Sequence, residues 1–218
     1  MPKRFELLIF DWDGTLMDSA GTIVDSIQCA CRDLGLRIPD EASSRHIIGL
    51  GLRDALTRLL PEVMESEHGR LVERYRHHYL GRDAEIPLFD GVREAVEELN
   101  RAGFLLAVAT GKSRPGLNRA LTGTGLAEYF HSSRCADECF SKPHPEMLEE
   151  ILDELAVPPE RALMIGDTTH DLQMAANAGV ASVAAAYGAH PRGDLEALLP
   201  LAVAASFAEL RAWLEAHA

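Results

Sequence analysis

The sequence predicts an α/β protein: a doubly wound, Rossmann-like parallel sheet with an all-α insert. Three observations carry this. The strand read at residues 5–10 holds the apolar run 7–10, and those at 104–109 and 162–165 are apolar throughout, short as buried parallel strands are. Beyond residue 87, segments of helical spacing alternate with such runs, the signature of strands joined by helical crossovers. Residues 16–82 carry only helical spacing, so a separate helical unit interrupts the alternation after the first strand.

Each element has its own local reason. In residues 19–34, Ile23, Ile27, Ala30 and Leu34 recur at helical spacing, and Gly35 supplies a stop. Three further helices follow at about 41–48, 52–60 and 64–80. A helix at 91–101 ends at Gly103 and leads into the strand at 104–109. A helix near 115–121 and a short strand at 131–134 come next. Met147, Leu148, Ile151, Leu152 and Leu155 line one face of a helix at 145–156. The run 162–165 is followed by a helix at 169–178, strands at 180–184 and 201–204, and a closing helix at 207–216. The expected division is a core of residues 1–15 and 83–218 and an inserted helical unit of residues 16–82.

With 47% hydrophobic and 25% charged residues, the 218-residue chain has the composition of a globular protein able to bury a sizeable core. No apolar stretch approaches the roughly 20 residues needed to cross a bilayer, so no membrane partner is expected. The first apolar run meets acids at once and reads as a strand, not a signal peptide, which makes the cytoplasm the expected location. A net charge of −13 argues against a nucleic-acid partner. That charge is uneven, since residues 16–82 are nearly balanced and hold no lysine. Cys29, Cys31, Cys135 and Cys139 fit no common zinc spacing and read as reduced thiols.

The polar residues gather at strand ends. The first strand stops at Asp11-Trp12-Asp13-Gly14-Thr15. In an extended chain residues i and i+2 share a face, so these two carboxylates converge and repel. Either a cation lies between them or one holds a proton. The next strand ends in Thr110-Gly111-Lys112, Ser141-Lys142-Pro143 precedes the 145–156 helix, and the 162–165 strand ends in Gly166-Asp167-Thr168-Thr169-His170-Asp171. Ligand sites of open α/β sheets lie at the carboxyl ends of strands, where all four groups would meet. A calcium loop is excluded because the sixth position from Asp11 is Leu16, where a turn glycine is required.

Asp-x-Asp-Gly-Thr, a hydroxyl residue with Gly, a Lys and Gly-Asp-x-x-x-Asp, in that order, resemble the haloacid dehalogenase superfamily over the whole chain. The helical insert directly after the first motif resembles the subgroup with a helical-bundle cap, and within it the phosphoglycolate phosphatase-like hydrolases. The resemblance implies a phosphomonoester hydrolase acting on a small phosphorylated metabolite. Asp11 would be the nucleophile forming an aspartyl-phosphate, and Asp13 the acid/base. Mg²⁺ would be held by the Asp11 side chain, the Asp13 carbonyl and Asp167, with Asp171 a further ligand or the residue that orients Lys142. Thr110, the Gly111 N–H and Lys142 would hold phosphate oxygens. Dehalogenases lack the acid/base aspartate, so Asp13 points to phosphate chemistry.

The insert is expected to act as a lid, its loop at residues 48–53 approaching the site. Arg53, or failing that Arg45 or His46, would read the rest of the substrate. His170 reads as a structural or substrate-facing residue, Lys112 as peripheral, and His77-His78 as a solvated helix face. The rival readings are a phosphoglucomutase with the same machinery, and a phospho-accepting signalling module, which would lack the long insert. A monomer and a homodimer fit the sequence equally.

Overall fold

The computed structural model describes residues 3–218. Six parallel strands form one sheet: β1 (Leu7–Phe10), β2 (Leu105–Thr110), β3 (Ser132–Cys135), β4 (Ala162–Gly166), β5 (Ala181–Ala185) and β6 (Val203–Ala204). Their order is β3-β2-β1-β4-β5-β6, so the direction of winding reverses beside β1. Such a reversal opens a crevice at the carboxyl ends of the strands. Phe10 is level with Val108 on one side and Ile165 on the other. β1 thus ends one residue short of β4 and two short of β2, and all three open at the same edge of the sheet.

The strands are apolar throughout because both faces are covered. Leu7 and Ile9 face a layer that includes Met147, Leu148 and Ile151 of α7 (Glu146–Leu155), and Met174 and Ala175 of α8 (Thr169–Asn177). Leu8 and Phe10 face the opposite layer, with Val92 and Val96 of α5 (Val92–Arg101), Leu117 of α6 (Arg114–Thr124) and Leu210 of α10 (Phe207–His217). All four β1 side chains are essentially solvent-free, each contributing about 1.5–3 kcal/mol of apolar burial.

Between β1 and β2 the described chain is helical: α1 (Ala20–Asp33), α2 (Glu41–His46), α3 (Leu52–Leu59) and α4 (Glu65–Leu80). Apolar residues of α1 and α4, among them Ile23, Ile27 and Leu71, join the core layer under α5 and α6. At the outer end Asp33 accepts from Arg74 and, at 2.7 Å, pairs with His78. His78 thus ties α4 to α1, where the sequence suggested only a solvated face. A short helix α9 (Arg192–Glu196) follows β5. Among the described residues no helix is long and apolar enough to cross a membrane.

Candidate active site

Strand ends deliver the site. Asp11 directly follows β1, its N–H bonded to the Ile165 carbonyl of β4 at 2.9 Å. Asp167 directly follows β4, and Asp171 lies in the first turn of α8. Carboxylate oxygens of Asp11, Asp167 and Asp171 lie within 4.8 Å of one another, all buried. Lys142 reaches in from the loop after β3; its Nζ is 2.7 Å from Asp11 Oδ1 and 2.6 Å from Asp171 Oδ1.

Each acid is pinned by neighbours. Asp167 Oδ1 accepts from Thr15 Oγ1 at 2.9 Å, and Oδ2 from the Ala189 N–H at 2.7 Å. Asp171 Oδ2 accepts from the Thr168 N–H and hydroxyl at 3.0 and 2.7 Å, closing a capping box at the start of α8. Asp171 therefore both caps its helix and orients Lys142. Asp13 Oδ1 accepts from Ser19 Oγ at 2.7 Å. Gly14 has φ +83°, and a Cβ there would stand 2.2 Å from Asp167 Oδ2, so only glycine lets the β1 turn pass this acid.

The electrostatics show an excess of negative charge. Burial pushes the Asp11 carboxyl up to about 7, with Asp171 adding to the rise and Lys142 opposing it. Burial, then Asp11 and Asp171, raise Asp167 well above the ordinary range. For Lys142 burial acts downward, but the flanking Asp11 and Asp171 outweigh it and hold the ammonium above its usual value. One buried cation offsets one of three carboxylates. Asp11 Oδ2 is buried with no hydrogen-bond partner among the described residues. A buried charge needs a partner, and an all-oxygen donor set with a free carboxylate oxygen fits a hard divalent cation.

Thr110 is buried at the end of β2, accepting from the Lys112 N–H at 3.2 Å. A Cβ on Gly111 would fall 2.6 Å from the carbonyl oxygens of Gly49 and Leu50, so the insert loop lies directly on this strand end. The Gly51 N–H also donates to Ser141 Oγ at 2.9 Å, next to Lys142. Arg53, by contrast, is exposed, and among the described residues its side chain has no hydrogen bond or ion pair. Arg45 pairs with Glu41 at 2.9 Å.

The rings of His170 and His190 both bond the His46 carbonyl, at 2.9 and 3.2 Å. Burial lowers both histidines, His190 to about 4, and both rings hold the insert backbone. Beside them a cleft of about 640 Å³ opens between α2, α3 and the segment after β5. Lys112 is not peripheral. Its Nζ lies 3.0 Å from Asp13 Oδ1 and 2.8 Å from Tyr79 Oη, since it follows β2, the neighbour of β1 in the sheet. Thr15 stood within the Asp-x-Asp-Gly-Thr run, whereas Ser19, Ala189 and Tyr79 carry no sequence signal for their contacts.

A parallel sheet whose first strand presents aspartates to a lysine and further acids, at the point where the winding reverses, defines an α/β protein with a carboxylate-centred site. The chain belongs to the haloacid dehalogenase-like hydrolase family, whose model matches residues 8–185. "Probable phosphatase IndB" of Dickeya dadantii (strain 3937) is 35% identical over 210 residues, covering 94% of this chain and 91% of that one. A phosphoglycolate phosphatase of Mesorhizobium japonicum is 32% identical over 191 residues, covering 84% and 83%. The crystal structure of a predicted phosphoglycolate phosphatase from Haemophilus somnus 129pt superposes with a TM-score of 0.84 at 26% identity, covering 96% and 98%.

Proposed function

We propose that the chain is a Mg²⁺-dependent phosphomonoester hydrolase working through an aspartyl-phosphate on Asp11. The observation that carries this is Asp11 Oδ2: a buried, unpartnered carboxylate oxygen beside two further acids, with one lysine for three charges. Asp11, Asp167, Asp171 and the Asp13 carbonyl would hold the metal, which when bound supplies positive charge against the repulsion between carboxylate and phosphate.

Asp11 attacks phosphorus, and the bond to the leaving oxygen breaks. Asp13 gives that oxygen a proton, then takes one from the water that cleaves the acyl phosphate. Thr110 and the Gly111 N–H hold phosphate oxygens. Lys142 fixes Asp11 and places a positive charge beside the phosphate. Residues 16–82 form the lid over a core of residues 1–15 and 83–218, its loop at Gly49–Leu50 closing on Gly111.

The substrate is a small phosphorylated metabolite, with phosphoglycolate first because of the phosphoglycolate phosphatase relative. The test is phosphate release from a panel of phosphometabolites, with Mg²⁺ or EDTA. Asp11→Asn should abolish turnover, and full activity in that variant overturns the mechanism. Conversion of β-glucose 1-phosphate to glucose 6-phosphate without phosphate release would point to the mutase instead.

A further inference from the structure

Lys112 and Tyr79 have no part in the scheme above, yet they meet at Asp13. The Lys112 and Asp13 side chains are 9% and 11% exposed where Nζ stands 3.0 Å from Oδ1. The same Nζ donates to Tyr79 Oη at 2.8 Å and lies 4.8 Å from the centre of that ring. Tyr79 comes from the last turn of α4, in the insert, and is buried with Tyr75 stacked at 5.7 Å. Ser19, just before α1, donates to the same Asp13 oxygen. Among the described residues, no hydrogen bond reaches Oδ2.

A hydroxyl hydrogen bond and a paired ammonium on one oxygen hold a carboxyl group in place and disfavour a proton on that oxygen. A proton on such a group then sits on the other oxygen. A lysine is a flexible point charge, so it can fix a neighbour only if something fixes it. Tyr79 does that from the insert.

We propose that Lys112 is a positioning residue for Asp13, aiming Oδ2 at the leaving oxygen, and that Tyr79 holds Lys112 only while the insert is seated on the core. The inference rests on the acid/base reading of Asp13. In the step concerned, an Asp11 oxygen bonds to phosphorus. The P–O bond breaks with its electron pair going to the leaving oxygen, and the proton on Asp13 Oδ2 passes to that oxygen. A poor leaving group needs this proton; a good one does not.

The experiment compares kcat/KM, with Mg²⁺, for two substrates of similar shape: phenyl phosphate, with a poor leaving group, and 4-nitrophenyl phosphate, with a good one. Lys112→Met should lower the phenyl-to-nitrophenyl ratio by roughly tenfold or more, the nitrophenyl activity serving as the control for folding. Lys112→Arg should restore most of the ratio. Tyr79→Phe should move it the same way by less, and should add nothing to Lys112→Met, since the two act as a unit. Equal losses on both substrates, or no loss, would overturn the inference and reduce the contact to a tether. Asp13→Asn separates the two levels. If it collapses the ratio and Lys112→Met does not, the inference alone falls. If Asp13→Asn leaves the ratio intact, the acid/base reading and this inference fall together.

Discussion

Lys142 holds Asp11 and Asp171 at 2.7 and 2.6 Å while itself shut away from solvent. A buried ion pair is weak evidence of net stability, but cutting away one partner leaves the others charged and dry. Lys142→Met should therefore lose ~3–5 kcal/mol of unfolding free energy in metal-free protein, read by urea denaturation. A loss within experimental error would mean that the acids are not carrying charge against this lysine. The cysteines give a contrasting case, a group kept neutral. Burial, with Arg114 opposing and Glu138 adding, pushes the Cys135 thiol up to about 12. An unfolded cysteine titrates near ~8.5, so above that pH the unfolded chain releases this proton first. The Cys135 contribution to stability is thus complete below that point and drains away as pH rises toward the folded value. At pH 8 iodoacetamide should modify Cys135 only after unfolding, with half-exposed Cys29 reacting earlier in a peptide map. Labelling of Cys135 as fast as Cys29 in the native protein would contradict its burial.

At the level of elements, the start of α8 couples stability to the site. The Thr168 hydroxyl donates to Asp171 Oδ2 and accepts from the Asp171 N–H at 3.3 Å, so one residue begins the helix and aims the carboxylate that grips Lys142. Thr168→Ala should cost ~1 kcal/mol as a lost cap, and should lower turnover further than that figure explains, because Asp171 loses the contact that directs it. Thermal melts and Mg²⁺-dependent phosphate release on the same sample would check both. A stability loss with unchanged turnover would make the cap purely structural. Most elements were legible in the sequence because their physical causes are local. The strand at residues 162–165 is four apolar residues between Arg161 and Gly166-Asp167, and the helix at 145–156 shows its buried stripe directly. The exceptions have local causes too. Helix α9, Arg192–Glu196, buries only Leu195, too little to show a period. Strand β6 shrinks to Val203–Ala204 because it is an edge strand bonded on one side.

Across the whole molecule, the acids at strand ends could be read because parallel topology forces strand ends together, whatever the details of packing. The link from Tyr79 through Lys112 to Asp13 could not, because it depends on how the insert sits over the sheet, and no spacing within α4 or after β2 encodes that. That Arg53 has no side-chain hydrogen bond or ion pair among the described residues has the same origin. The charge balance also belongs to this scale. The chain carries −13 overall, and three of its acids are buried together: Asp11, Asp167 and Asp171 beside Lys142. Folding alone brings these oxygens within 4.8 Å, so a divalent cation meets the assembled set in the native state and scattered carboxylates in the unfolded one. Ligand that binds only the native state stabilises it by about 2.7 kcal/mol at a hundredfold excess over Kd. For a domain of this size that corresponds to roughly 5–10 °C in Tm. Mg²⁺ should therefore raise Tm by that amount over EDTA-treated protein, independently of any substrate. Asp167→Asn should remove most of the rise. Arg53→Ala, far from the acids in chemistry and exposed, should leave it intact. A wild-type Tm that is the same in Mg²⁺ and EDTA would mean that the buried acids are balanced by protons instead of metal.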